Sequence, residues 1–170
     1  MPKLLVLYHS RRSDVVQLAD AIVEGARTVR FAEVDLRRLD EDEDTPATDP
    51  GEEAGATAPR TLDRLAEIAS YDGVVCVTSA DDAASLGTRI GRLDESLANK
   101  VGSAVTTATG RDRGTALWAT LTPMGNRGMI LVPAPFTDSG EPAAEAARRL
   151  GKRVVEVIGW VTHARSHHHH

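Results

Sequence analysis

Short apolar runs alternate with segments of helical spacing along the whole chain, and few folds satisfy that alternation. The first run, KLLVLY at Lys3–Tyr8, has no polar alternation, as a strand covered on both faces of a parallel sheet requires. A helix follows at once: Ser13 or Asp14 can cap it, and Val15, Leu18, Ala19, Ile22 and Ala26 recur on one face. Residues 31–36 read as a second strand, and residues 74–77, the most apolar, as a central third. Thr61 opens a short helix between them that contains Leu62, Leu65 and Ile68. Leu86, Ile90, Leu93 and Leu97 predict a further helix, residues 101–106 a fourth strand, residues 115–124 a helix and residues 129–132 a fifth strand. Residues 141–160 close the chain as a long amphipathic helix with Ala147, Leu150, Val154 and Ile158 on its apolar face. The expected architecture is α/β: a three-layer sandwich around a five-stranded parallel sheet in the order 2-1-3-4-5, with right-handed crossovers.

A chain of 170 residues suits one domain, expected over residues 1–165, and residues 166–170, ending in a histidine run, read as a tag remnant. With 41% hydrophobic and 26% charged residues it is no disordered chain. The net charge of -5 lacks the basic excess of a general nucleic-acid or anionic-membrane binder. The expected partner is therefore a small-molecule ligand or another protein, with no nucleic acid and no membrane. Cys76, the only cysteine, excludes an internal disulfide or a cysteine zinc cluster, and within VVCV it reads as buried and inert. A cytoplasmic location fits it. No apolar run reaches membrane-spanning length, and the N-terminal one is too short for a signal peptide. Residues 40–60 begin with DEDED and continue rich in Pro, Gly and Thr, as an acidic surface loop does.

In a sheet of this order, ligands bind beyond the carboxyl ends of the strands, where the first and third strands part. Three loops lie there: residues 9–14, 78–85 and 107–114. The residues around them carry a resemblance. KLLVLYHS (3–10), SYDGVVCVTS (70–79), RLDESL (92–97), NKVGSAVTTATG (99–110), RGMILVP (127–133) and AARRLGKRVVEVI (146–158) occur in that order. With this series the chain resembles the flavodoxin-like NAD(P)H:quinone oxidoreductases of the tryptophan-repressor-binding-protein (WrbA) type. The resemblance spans nearly the whole chain. It implies a flavodoxin-like fold, FMN as cofactor, reduction of quinones by a reduced nicotinamide, and a homo-oligomer, dimer or tetramer.

Carried onto this sequence, the FMN site comprises Ser10, Arg11, Arg12, Ser13, Asp14 and Val15 in the first loop. Thr78, Ser79, Ala80 and Asp81 belong to the second, and Thr107, Ala108, Thr109 and Gly110 to the third. Arg127 stands where the family has the second of two paired histidines. The first loop suits a phosphate because a helix start offers backbone N–H groups and a positive dipole end, to which the serines add hydroxyls and the arginines charge. Several residues depart from the family. Ser13 and Asp14 replace a glycine and a neutral or basic residue, and a carboxylate repels a phosphate unless Arg11 or Arg12 neutralises it. Asp14 as a plain helix cap is the other reading. The second loop has no aromatic to stack on a flavin ring, and its Asp81 and Asp82 disfavour an anionic one; a capping turn is the alternative there. Between the fifth strand and the last helix only APFTDSGEP remains, where the family carries a longer insertion.

His9, beside the crevice, has no acid partner visible in the sequence and reads as a loop histidine. Trp118 reads as core or interface packing, and Trp160 as a cover for the sheet edge or a dimer contact. Arg127 can equally compensate the end of a helix that Gly125 or Gly128 terminates. No metal-ligand cluster is present, and no nucleophile, base and orienter set identifies catalytic residues. Three functions stay open on these residues: an FMN-dependent oxidoreductase, a flavin-free scaffold or partner subunit of the same fold, and a binder of another small anion.

Overall fold

In the computed structural model, residues 1–39, 60–134 and 142–167 are described. Strand β1 (Lys3–Tyr8) is buried along almost its whole length and lies at the centre of the sheet. Helix α1 (Ser13–Ala26), β2 (Glu33–Arg38), the two-residue β3 (Arg60–Thr61), a 3₁₀ helix (Leu65–Ser70) and β4 (Gly73–Thr78) follow. Then come α2 (Ala83–Gly91), β5 (Val101–Thr106), α3 (Arg111–Asn126), β6 (Ile130–Leu131) and α4 (Ala143–Ser166). The sheet order is β3-β2-β1-β4-β5-β6, every pairing parallel. Leaving out β3, a short addition to one edge, this is the expected 2-1-3-4-5.

Strand alternation sorts the core into two layers. Leu4, Val6 and Tyr8 face α1 and α4, packing with Ile22, Leu150, Val154 and Ile158. Leu5 and Leu7 face the other way, toward the 3₁₀ helix, α2 and α3, where Leu65, Ile68, Leu86, Ile90 and Met124 are buried. α1 and α4 touch backbone to backbone: a Cβ on Gly25 would lie 1.9 Å from Arg148 O, and one on Gly151 2.1 Å from Ile22 O.

Several boundaries differ from the sequence expectation. The second strand starts at Glu33, not residue 31, because Phe31 adopts a left-handed φ of 63° and is 78% exposed. Thr61 does not open a helix; it closes β3, and Leu62 N–H donates to Arg38 O at 2.8 Å. Helix α2 stops at Gly91, so Leu93 and Leu97 join the apolar cluster from irregular chain. The last strand shrinks to Ile130–Leu131, while α3 and α4 are longer than their apolar stripes indicated. Residues 40–59 and 135–141, which include the DEDED run and Phe136, lie outside the described residues. Among the described residues, no helix is long and apolar enough to cross a membrane.

Candidate functional site

Tyr8 pairs in register with Val77, and Thr78 with Thr106, so the loops after β1, β4 and β5 open side by side over the middle of the sheet. Thr107 N–H donates to Thr78 O at 3.0 Å, tying the second loop to the third.

In the first loop Arg12, rather than Ser13 or Asp14, occupies the N-cap of α1, because Ser13 is already helical; no side chain caps the helix from that position. Ser10 Oγ accepts Arg12 N–H at 3.1 Å, while Asp14 Oδ1 accepts Val15 N–H at 2.9 Å. Both Asp14 oxygens also face Arg12, at 3.2 Å from Nε and 2.9 Å from Nη2. A forked guanidinium contact of this kind neutralises the carboxylate at the end of the helix where its charge is best tolerated. Arg11, Arg12 and Ser13 are exposed, and Val15 is buried beneath them.

The second loop is more tightly built than its sequence indicates. Thr78 and Ser79 are buried, while Ala80 and Asp81 face solvent. Asp82 holds the N-cap of α2, yet its side chain caps no helix N–H. Its carboxylate instead accepts the Ser79 hydroxyl at 2.7 Å through Oδ2 and approaches His9 Nδ1 to 3.4 Å through Oδ1. His9 is only 6% exposed, and neither of its ring nitrogens has a hydrogen-bond partner. The acid partner that the sequence did not reveal is thus Asp82.

The third loop begins with Thr106 Oγ1 accepting Ala108 N–H at 3.1 Å, and Arg113 Nε donates to Ala108 O at 3.4 Å. Ala108 is buried and Thr107 half-buried, with Thr109 and Gly110 exposed. Gly110, the N-cap of α3, has φ 59° and ψ -135°, and a Cβ there would meet nothing within 4 Å. The position requires glycine for its backbone conformation and leaves that backbone open to an incoming molecule. Beside this loop an apolar pocket is lined by Leu18, Val105, Thr106, Leu117 and Leu150, with Arg113 the one charged residue among the described residues that line it.

Arg127 is not brought to this crevice. It is the C-cap of α3, its Nη2 donates to Glu95 O at 2.7 Å, and Gly128 beside it accepts Asn99 N–H just before β5 begins. Those contacts put it at the amino end of the sheet. Gly128, at φ 82°, is the glycine that ends α3, whereas Gly125 remains helical. Trp118 is 63% exposed on α3, so it is no part of the core. Trp160 is exposed beside Ile130 and Pro133 at the β6 edge, with Arg153 4.9 Å from its ring centre.

A protein of Acidithiobacillus ferrooxidans named NAD(P)H dehydrogenase (quinone) is 34% identical over 152 residues, covering 81% of this chain and 73% of that protein. The chain belongs to the NAD(P)H dehydrogenase (quinone) family. A second member, from Paraburkholderia phymatum, is 32% identical over 82% of this chain and 74% of its own length. No protein-family model matches the chain. Among solved structures, a flavodoxin of Streptococcus pneumonia TIGR4 has a TM-score of 0.63 at 11% identity, covering 91% of this chain and 99% of its own. FerB, a flavoenzyme NAD(P)H:(acceptor) oxidoreductase of Paracoccus denitrificans, has a TM-score of 0.51 at 18% identity, over 95% and 98%. The fold is that of flavodoxin.

Proposed function

We propose that this chain is an FMN-dependent oxidoreductase that transfers electrons from a reduced nicotinamide to a quinone-type acceptor. The observation that carries the reading is the 34% identity, over 81% of the chain, to a relative named for that activity. The crevice fits the cofactor at both ends. At the first loop, Ser10, Ser13 and the start of α1 offer hydroxyl and backbone donors to a phosphate, and Asp14 is already neutralised by Arg12. At the third loop, the open backbone of Gly110 admits a flat ring, and the buried His9 Nε2, which has no hydrogen-bond partner, offers a polar contact beside the second loop.

Bound FMN supplies the two-electron chemistry. The chain's own residues position it: Ser10 to Val15 hold the phosphate end, and Thr78 to Asp81 and Thr107 to Gly110 border the ring. The apolar pocket beside the third loop suits a planar acceptor, and Arg113 there favours electron-rich oxygens. We assign residues 1–165 to one domain, acting in the cytoplasm as a homo-oligomer, dimer or tetramer. Exposed Ile130 and Trp160 at the sheet edge support self-association.

A fluorescence-quench titration with FMN at low salt tests the reading. Micromolar binding followed by NAD(P)H-dependent quinone reduction is the expected result. No binding at about 100 μM, weaker than roughly -5.5 kcal/mol, retires it. The second reading, a flavin-free scaffold of the same fold, is favoured by the carboxylates of Asp14 and Asp82 standing at the first and second loops of the crevice.

A further inference from the structure

The ring nitrogens of a buried histidine rarely lack hydrogen-bond partners in a folded protein unless an ordered water, an ion or a ligand completes them. His9 is such a residue, and it stands at the carboxyl end of β1, where the crevice opens. Its two nitrogens are not equivalent. Nδ1 lies 3.4 Å from Asp82 Oδ1, and an ionised carboxylate can only accept, so Nδ1 is the atom that carries hydrogen toward it. Asp82 is fixed in turn by the Ser79 hydroxyl, 2.7 Å from its other oxygen. Ser79, Asp82 and the Nδ1 edge of His9 therefore stand in series, and with the ring hydrogen on Nδ1 the acceptor lone pair lies on Nε2.

The face of the sheet decides which part of a ligand that lone pair meets. Leu5 and Leu7 point toward α2 and α3, and the His9 side chain follows them to Asp82 at the start of α2. The phosphate-suited start of α1 packs on the opposite face. His9 thus belongs with the second and third loops, which Thr107 N–H and Thr78 O join.

We propose that His9 Nε2 is a flavin-ring contact that accepts the N3–H of the bound ring, held in register by Asp82 and Ser79. The inference rests on the FMN reading above. An oxidised isoalloxazine carries one N–H, at N3, so a lone-pair acceptor selects that edge.

Two conservative variants separate this role from a structural one, because the amide nitrogen of asparagine overlays Nδ1 of histidine, whereas the amide oxygen of glutamine can take the place of Nε2 and accept there. FMN titrations of the wild type, His9→Asn and His9→Gln are made under mildly alkaline conditions, with thermal melting of each apoprotein as a folding check. His9→Asn, which keeps the reach to Asp82 and loses the ring contact, is expected to bind FMN about tenfold more weakly. His9→Gln stays within about threefold of the wild type. A flavin methylated at N3 loses about tenfold against the wild type and nothing further against His9→Asn. Equal affinity of all three proteins for FMN overturns the contact and leaves the proposed function standing. An equal loss in both variants assigns His9 a structural role and also overturns it. Absence of FMN binding by the wild type removes both readings together. Should the variants not fold, the imidazole ¹⁵N spectrum of the wild type decides: the Nε2 resonance moves on saturation with FMN, and an unmoved resonance overturns the proposal.

Discussion

Asp14 places a negative charge at the start of α1, where an incoming phosphate would feel it, yet both its oxygens are occupied by Arg12 and one also takes the Val15 N–H. Asp14→Asn keeps an acceptor for that N–H and releases the guanidinium. FMN affinity is expected to rise severalfold at low salt and to converge with the wild type in 0.5 M NaCl, because exposed charges are screened there. A titration at both salt levels checks it, and a gain that persists in high salt contradicts the electrostatic account. Cys76 makes a second test. Burial raises its thiol from 9.0 to about 12. In the unfolded chain the thiol ionises near 9, so the stability linked to it is complete below that pH and is lost as pH rises from about 9 toward 12. The folded protein is expected to be inert to a thiol reagent at pH 8 and to react only after unfolding in guanidinium; Tyr71, raised to about 12 by burial and by its hydrogen bond to Asp35, adds to the alkaline loss. The burial of Cys76 was legible in VVCV. The His9–Asp82 contact was not, since the two residues are distant in sequence and meet only through the β1–β4 pairing.

At the scale of elements, the close approach of α1 and α4 rests on glycine. Gly151→Ala puts a methyl 2.1 Å from the Ile22 carbonyl, a backbone atom that cannot swing aside. The gain in helix propensity, about 1 kcal/mol, is outweighed by overpacking of about 1–3 kcal/mol plus separation of the two helices. Gly114 in α3 is the control: a Cβ there meets nothing, so Gly114→Ala should stabilise by about 0.5–1 kcal/mol. Thermal melts that shift in opposite directions confirm that packing decides, and parallel shifts refute it. The same distinction explains which elements the sequence revealed. Buried runs such as β1 and β4 and the long stripe of α4 follow from periodicity alone. Leu93 and Leu97 carry helical spacing but belong to no helix, because Gly91 ends α2 and tertiary burial satisfies both leucines without one. Phe31 misled for the opposite reason: an aromatic residue of strand type stands in a left-handed turn, a conformation no local propensity signals.

At the scale of the whole molecule, the crevice joins loops from β1, β4 and β5, so a molecule held across it links both layers of the core. A ligand that binds only the folded state stabilises it by RT ln(1 + [L]/Kd), about 2.7 kcal/mol at a hundredfold excess over Kd. For a domain of this size each kcal/mol moves the melting temperature by about 2–4 °C, so FMN at that excess is expected to raise it by roughly 5–10 °C. Riboflavin, which shares the ring and lacks the phosphate, separates the two ends of the site. If the α1 start anchors the phosphate, riboflavin at the same concentration gives a much smaller shift, and inorganic phosphate alone a small one. Equal shifts with FMN and riboflavin would take the phosphate role away from Ser10 to Val15 and leave the ring end, with His9 and Gly110, as the whole of the binding site.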